Sequence, residues 1–128
     1  MQNTELCIIT NKTKSKLPRL PFVSMKNAVL GEDYEFGASF IGSTAQKKIN
    51  LAYRNINSTT NILSFPLSKK SGEITFDLSK VKKDAPLFNM TYPQFLKYLF
   101  IHGLLHLKGY EHSSTMERLE KKFLKQFN

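Results

Sequence analysis

All three histidines of this chain fall within eleven residues, as His102, His106 and His112. On a helix, positions i and i+4 lie about 40° apart on one face, so His102 and His106 can bind one metal ion together. Gly109 is a natural point for the chain to leave the helix, because glycine tolerates positive φ. The turn after it can return His112 to the same ion. Three neutral nitrogen ligands leave a fourth position for water, which is typical of catalytic rather than structural zinc sites.

The ion is predicted to be zinc, one per chain. Ligand type alone also permits nickel, iron or cobalt, and zinc is favoured because no carboxylate is needed to complete the set. Glu111 lies beside His112. Two interpretations of Glu111 stay open: a hydrogen-bond partner of a ligand, or a plain surface residue.

The histidine spacing equals that of the metzincin proteases, H-E-x-x-H-x-x-G-x-x-H. The general-base glutamate of those enzymes corresponds here to Gly103, which cannot take a proton from water. Protease chemistry is therefore disfavoured, although the metal geometry survives. A zinc hydrolase acting on another class of substrate remains an alternative.

Charge indicates a polyanionic partner. Nineteen Lys and Arg residues stand against ten Asp and Glu residues, a formal net charge of +9. Such an excess suits nucleic acid, although a solubilising surface is an equally simple interpretation. The basic residues occur in four clusters: Lys12–Arg19, Lys69–Lys70, Lys80–Lys83 and Arg118–Lys125.

Several features favour a cytoplasmic protein. There is no run of eighteen apolar residues to cross a membrane, and Met1–Glu5 lacks the start of a signal peptide. The single cysteine, Cys7, is expected to be buried as a small hydrophobic residue and fits a reducing compartment. The length of 128 residues, without repeats or linkers, predicts one domain over residues 1–128.

Hydrophobic periodicity predicts the element order β-α-β-α-β-β-α-α, an α+β or α/β-like fold with a small mixed sheet. Two capping boxes are predicted, one with Ser43 as N-cap and one over Ser114–Glu117. A basic loop is expected over Ser79–Asn89. The predicted strands are Leu6–Thr10, Tyr34–Ile41, Asn61–Phe65, closed by Pro66, and Glu73–Leu78. The predicted helices are Pro18–Leu30, one beginning after Ser43, Pro93–Leu107, and one ending near Gln126.

Three segments match a known pattern in order along the chain. One segment is Ile101–His112, which reads I-H-G-L-L-H-L-K-G-Y-E-H. A second is made of Asn50–Arg54, which matches N-x-x-Y-R, and Thr60–Pro66, which is similar to T-D-V-L-S-F-P with Asn61 in place of its aspartate. The third is Gly72–Ile74, a weaker match to a G-D/E-I strand start. Together they resemble the YbeY-type bacterial endoribonucleases, the rRNA maturation factors. Residues before 40 match only in element order.

The resemblance implies a single domain with a small, mostly parallel sheet surrounded by helices and a zinc ion on the three histidines. It implies a cytoplasmic, metal-dependent endoribonuclease for single-stranded RNA, acting in 16S ribosomal RNA 3′-end maturation and ribosome quality control. The implied partners are rRNA and the ribosome or its small subunit. There are three departures from the family pattern. Glu111 and Asn61 replace aspartates, which are mild changes. The connection after His112 is short, which bears on substrate details more than on the metal.

Site residues follow from the resemblance. Its arginine corresponds to Arg54, predicted to bind a phosphate and offset the charge that grows in the transition state. Ser64 and Tyr53 are predicted to contact substrate. Taken alone, Arg54 also suits a surface position at a helix end, and Ser64 the end of a buried strand. Either water or the RNA 2′-hydroxyl is the nucleophile. The non-enzymatic alternative is a zinc-containing ribosome assembly factor.

Overall fold

The computed structural model describes residues 4–128. Its elements follow the predicted order, with one α-helix and one short 3₁₀ helix added. The strands are β1 (Cys7–Asn11), β2 (Glu35–Ile41), β3 (Ile62–Ser68) and β4 (Ser71–Asp77). The α-helices are α1 (Phe22–Leu30), α2 (Ser43–Arg54), α3 (Leu78–Asp84), α4 (Tyr92–Lys108) and α5 (Ser114–Gln126), and the 3₁₀ helix is Ala85–Phe88.

The four strands form one sheet in the order β1-β2-β4-β3. β1 pairs with β2, and β2 with β4, in parallel, whereas β3 and β4 form an antiparallel pair. The expected small, mixed, mostly parallel sheet with surrounding helices is therefore confirmed, and the fold class is α+β.

Helix α4 lies across the sheet through aromatic contacts. The ring centroid of Phe100 is 4.9 Å from that of Phe22 and 5.7 Å from that of Phe36. Full burial of a phenylalanine side chain stabilises a fold by roughly 1.5–3 kcal/mol, so this cluster fixes the position of α4. Cys7 is fully buried in the same core, as predicted.

Helix α2 packs on the opposite face of β4. The buried Gln46 side chain donates hydrogen bonds of 3.2 Å to the carbonyls of Thr60 and Thr75. Buried polar groups need such partners, and these two bonds connect α2 to β4 and to the segment that leads into β3.

The predicted basic loop over Ser79–Asn89 is wrong, because α3 and the 3₁₀ helix occupy most of it. The Asp77 side chain accepts a hydrogen bond from the Lys80 N–H and so caps α3. Three apolar side chains at helical spacing are buried: Leu78, Val81 and Ala85. The lysines between them conceal this short periodic pattern from a reading of the sequence.

Three predicted boundaries are also wrong. Helix α1 begins at Phe22 rather than Pro18, because Pro21 disfavours helical geometry at the residue before it. Strand β3 continues through Pro66 to Ser68, which an edge strand permits. Gly42 rather than Ser43 is the N-cap of α2, and the Ser43 hydroxyl instead donates to Asp77 Oδ2 at 2.7 Å.

The N-cap of helix α5 is Ser113, whose side chain accepts from the Met116 N–H. The predicted capping box over Ser114–Glu117 is therefore wrong, because the third helical residue is Met116, which has no side-chain oxygen to return the bond. Among residues 4–128, no helix combines the length and the apolar character needed to cross a bilayer. The expectation about a signal peptide rests on Met1–Glu5, of which the first three residues lie outside the described range.

Candidate metal centre and its groove

Two of the three histidines lie in the last two turns of α4. The helix starts with a capping box between Thr91 and Gln94 and has Pro93 in its first turn. It ends at Gly109, which has a φ of 109°, a left-handed conformation that costs glycine little. The predicted helix stop is confirmed. The turn that follows directs the chain back toward the face that carries His102 and His106.

The three histidines come together as the sequence predicts. One ligand nitrogen from each of His102, His106 and His112 lies within 4.8 Å of the others. The ring of His112 has its centroid 5.1 Å from that of His102 and 5.0 Å from that of His106. His102 and His106 are half-buried and His112 is exposed, so the cluster opens to solvent on the His112 side.

The hydrogen bonds of the two helical histidines determine their tautomers. His102 Nδ1–H donates to Glu120 Oε2 at 2.5 Å, and His106 Nδ1–H donates to the Tyr110 carbonyl at 2.9 Å. A carboxylate and a carbonyl can only accept, so both Nδ1 atoms carry the proton and both Nε2 atoms of the neutral rings are free to bind a metal. Ligand histidines in metal sites are typically oriented by such partners.

The free nitrogens fit a metal cation. The Nε2 atoms of His102 and His106 are 3.0 Å apart, so two lone pairs face each other without a hydrogen between them. A cation relieves this unfavourable arrangement. Two nitrogens at 2.0–2.1 Å from a tetrahedral zinc ion are about 3.3 Å apart, close to the separation found here. The residues present therefore fit a divalent transition metal.

The electrostatics of the cluster favour neutral ligands. Burial lowers the pKa of His106 below its ordinary value, and the neighbouring His102 lowers it further. The hydrogen bond to the Tyr110 carbonyl acts in the opposite direction. Because a metal binds only unprotonated imidazole, a lowered pKa keeps His106 ready to bind at neutral pH.

Glu120 is a functional candidate that the sequence reasoning missed. It lies on α5, eighteen residues after His102, and only 6% of it is exposed. One signal was present: Glu120 follows the buried Met116 by four residues, on the apolar face of an amphipathic helix. A carboxylate on a buried face needs a partner. Glu111, by contrast, is exposed in the turn before α5.

The histidines form one wall of a groove of about 400 Å³, and Arg54 and Ser64 line it with them. Arg54 is exposed in the last turn of α2. The helix then ends at Asn55, which is left-handed with φ of 55°. The Asn50 side chain donates to the Ser58 carbonyl at 2.9 Å, which holds the following loop against α2. The fold thus brings the Arg54 guanidinium to the same groove as the metal cluster.

Gly103, the position of the metzincin glutamate, faces strand β3 and the core. A Cβ atom at this position would lie 2.7 Å from Ile74 Cδ1, 2.9 Å from Ile62 Cδ1 and 3.2 Å from Ser64 Oγ. A glutamate would therefore need side chains of both β3 and β4 to move. The glycine allows the edge of the sheet to approach the metal cluster closely.

Tyr53 lies apart from the histidines. Its side chain is 74% exposed, and its ring centroid is 5.3 Å from that of Phe65. Both residues line a second groove with Leu67 and Thr75. Asn61, which replaces an aspartate of the family pattern, donates to Asp84 Oδ2 at 3.0 Å and so connects the start of β3 to α3.

Known proteins are similar to this chain in sequence and in fold. The sequence model described as "Endoribonuclease YbeY" matches residues 2–128. A protein named Endoribonuclease YbeY from Mycoplasmopsis synoviae is 36% identical over 96 residues, 67% of this chain and 62% of that relative. Its namesake from Thermodesulfovibrio yellowstonii is 38% identical over 98 residues, 66% of this chain and 62% of the relative. This chain thus spans less than two thirds of both relatives.

Two further comparisons cover almost the whole chain. A Clostridium botulinum protein with the same name is 26% identical, over 94% of this chain and 91% of that relative. The solution structure of TM1509 from Thermotoga maritima superposes with a TM-score of 0.67 at 24% identity, over 94% of this chain and 88% of the other. The structural match supports the fold.

Proposed function

Because this chain belongs to the YbeY endoribonuclease family, we propose that it is a zinc-dependent endoribonuclease that hydrolyses phosphodiesters of single-stranded RNA. The observation that carries the proposal is one groove that combines three metal-ligating histidines with the guanidinium of Arg54. The relatives named Endoribonuclease YbeY and the net charge of +9 support an RNA substrate.

Zinc is the proposed ion because the donor set is three imidazoles with no carboxylate among them. A structural zinc site uses four protein ligands, and only three His, Cys, Asp or Glu side chains of residues 4–128 converge here. Zinc bound in this way supplies Lewis-acid chemistry, which polarises a phosphodiester and makes a nucleophile available near neutral pH.

The chain's own residues bind and orient the substrate. The planar guanidinium of Arg54 can donate two parallel hydrogen bonds to phosphate oxygens and offset the negative charge that grows during cleavage. The Ser64 side chain lines the same groove, and its proposed role is to donate a hydrogen bond to a phosphate or ribose oxygen. Glu120 holds the His102 ring in one tautomer. These roles are the same whether water or the 2′-hydroxyl attacks.

The proposed biological setting is the cytoplasm. There the protein is proposed to act in maturation of the 3′ end of 16S rRNA and in ribosome quality control, with the ribosome or its small subunit as partner. This rests on the family resemblance and on the basic surface, since RNA affinity depends on neutralised phosphates. The domain is proposed to comprise residues 1–128.

The test is RNA cleavage by zinc-loaded wild-type protein and its Arg54→Ala variant. We expect the variant to keep its zinc and its melting temperature but to cleave a short single-stranded RNA about a hundredfold more slowly. Arg19→Ala is the matched control, because Arg19 is another exposed arginine and lines a different groove. It should lose little activity.

Equal rates of RNA cleavage by wild type and Arg54→Ala would contradict the catalytic role assigned to Arg54. If neither protein cleaved RNA while zinc stayed bound, the non-catalytic zinc-containing assembly factor would replace the enzyme. A peptide-cleavage assay on the same zinc-loaded protein distinguishes a hydrolase of another substrate class.

A further inference from the structure

Strand β3 is an edge of the sheet, and its unpaired side can be identified from the ladder. The sheet order ends at β3. Asp77 N–H donates to the Asn61 carbonyl at 3.1 Å, and in the register Ile62 lies opposite Phe76. In an antiparallel pair, alternate residues bond to the partner strand, and those between them direct N–H and C=O away from it. Ile62 and Ser64 are therefore the outward-facing residues.

These outward groups border the metal groove. Ile62 and Ser64 line it together with Arg54 and the histidines. Leu63 also borders the groove, although only 5% of it is exposed and its side chain lies on the other face of the strand. No hydrogen bond between described residues reaches the backbone of Ile62 or Ser64 on this side. Each residue thus presents one donor and one acceptor to whatever enters the groove.

The edge is short. Pro66 is the next outward-facing position, and it has no N–H. The register shifts just beyond it, between Pro66 and Ser68. An added peptide strand would lose a ladder bond at the proline and its alignment at the shift. The groove also holds the positive charge of Arg54. These features favour a short, anionic occupant over an extended peptide.

A nucleotide meets these requirements, because its phosphate is anionic and its base is short. The Watson–Crick edge of adenine or cytosine carries an acceptor next to a donor, which complements the N–H and C=O of one outward-facing residue. In a duplex this edge is already paired, whereas in a single strand it is free. An edge strand beside the phosphate-binding arginine would therefore favour unpaired RNA.

We propose that the free edge of β3 at Ile62 and Ser64 binds the Watson–Crick edge of an unpaired nucleobase next to the phosphate held by Arg54, and so selects single-stranded RNA. The inference rests on the proposed function and extends it to substrate selection.

The experiment compares Ser64→Pro with Ser64→Ala in zinc-loaded protein. Proline at this outward position removes one N–H without touching the β3–β4 ladder, as Pro66 already does. Alanine removes only the hydroxyl. We expect Ser64→Ala to lose only what the hydroxyl contributes to RNA binding, and Ser64→Pro to bind a short fluorescent oligoadenylate about tenfold more weakly than Ser64→Ala does, read by anisotropy before measurable cleavage.

A second arm uses wild-type protein and needs no variant. An oligoadenylate with two methyl groups on every adenine N6 keeps its phosphates and its stacking but has lost the Watson–Crick donor. It should bind about tenfold more weakly than the unmodified strand, and Ser64→Pro should discriminate less between the two. If Ser64→Pro fails to fold, judged by its melting temperature and zinc content, this arm alone decides.

Three results would overturn the inference. They are equal affinity of wild type for both oligonucleotides, equal losses in the proline and alanine variants, or a neutral extended peptide that binds the edge without displacing RNA. Cleavage by wild type separates this inference from the proposed function. If wild type cleaves RNA but does not discriminate, only the inference fails. If wild type neither binds nor cleaves RNA, the proposed function fails.

Discussion

The two walls of the groove differ in how they are held. On the α4–α5 wall, His102 and His106 are half-buried, and both are already oriented, by Glu120 and by the Tyr110 carbonyl. On the opposite wall, Arg54 is exposed and the β3 edge has unsatisfied backbone groups. The metal wall is organised by the protein itself, whereas the substrate wall offers groups that no other described residue satisfies.

The difference predicts separable effects. Changes in the metal wall should alter metal affinity first, and stability and cleavage as consequences. Changes in the substrate wall should alter RNA binding or cleavage with metal and stability intact, as the Arg54 and Ser64 variants are designed to show. The tests below run from the largest expected effect to the smallest.

Replacing His106 by alanine should have the largest effect. Two ligands cannot hold zinc as three do, so we expect less than one equivalent of bound zinc and cleavage at background level. Because a ligand that binds only the folded state raises stability by mass action, zinc should raise the melting temperature of wild type and not of His106→Ala. One retained equivalent of zinc, measured by elemental analysis, would refute the ligand assignment.

Glu120 should give an intermediate effect that tests how the metal wall is organised. Glu120→Ala leaves His102 free to rotate, so we expect zinc affinity to fall about 10- to 100-fold. Glu120→Gln still offers an oxygen acceptor to Nδ1 and should lose less. The control is Glu117→Ala, because Glu117 is exposed one turn earlier on α5. Zinc competition with a chromophoric chelator measures all three.

If Glu117→Ala and Glu120→Ala weakened zinc binding equally, the effect would reflect only the loss of negative charge. If Glu120→Ala lowered the melting temperature without changing zinc affinity, the contact would stabilise α5 and would not orient the ligand.

Low pH should lower the stability of the metal-free protein through His106. Burial lowers the pKa of His106 in the folded protein, so the unfolded chain takes up this proton at a higher pH than the folded chain does. In metal-free protein, unfolding should therefore become easier as the pH falls through the ordinary histidine range near 6.5. This loss of stability should be complete once the pH is below the lowered pKa of His106 in the folded protein.

Urea unfolding of metal-free protein at several pH values measures this effect. His106→Ala should show a shallower dependence on pH than wild type. Identical slopes for the two proteins would show that His106 does not contribute.

Tyr53 should give the smallest effect. Its side chain is largely exposed against Phe65, in a groove separate from the histidines. We expect Tyr53→Ala to keep its zinc and to change cleavage of a short RNA by less than about threefold, within the range of a weak exposed contact. A loss as large as that of Arg54→Ala would instead place Tyr53 with the substrate wall.

The metal wall was predictable from sequence because its ligands are close along the chain. The helical spacing of His102 and His106 and the positive φ of Gly109 are local properties. Glu120 was missed because its contact with His102 depends on how α5 docks on α4, which no spacing within one segment encodes. The helix over Leu78–Asp84 was missed because lysines separate its few apolar positions.

The substrate wall was predictable only through resemblance. Arg54 and Ser64 come from different elements, and their position beside the histidines depends on the packing of α2, β3 and α4 together. Their roles in catalysis and binding stay predictions, as does that of Tyr53. The sequence predicts that the third strand ends before Pro66, whereas the ladder continues to Ser68. The free edge of β3 depends on the order of the strands in the sheet, which no single segment encodes.

The central claim is that one zinc ion on the three histidines drives RNA cleavage by this chain. The most direct test adds zinc stepwise to metal-free protein and follows cleavage of a short single-stranded RNA, with His106→Ala in parallel. We expect cleavage to rise with bound zinc, to saturate at one equivalent and to be absent in the variant. Cleavage that is independent of zinc occupancy and equal in His106→Ala would contradict it.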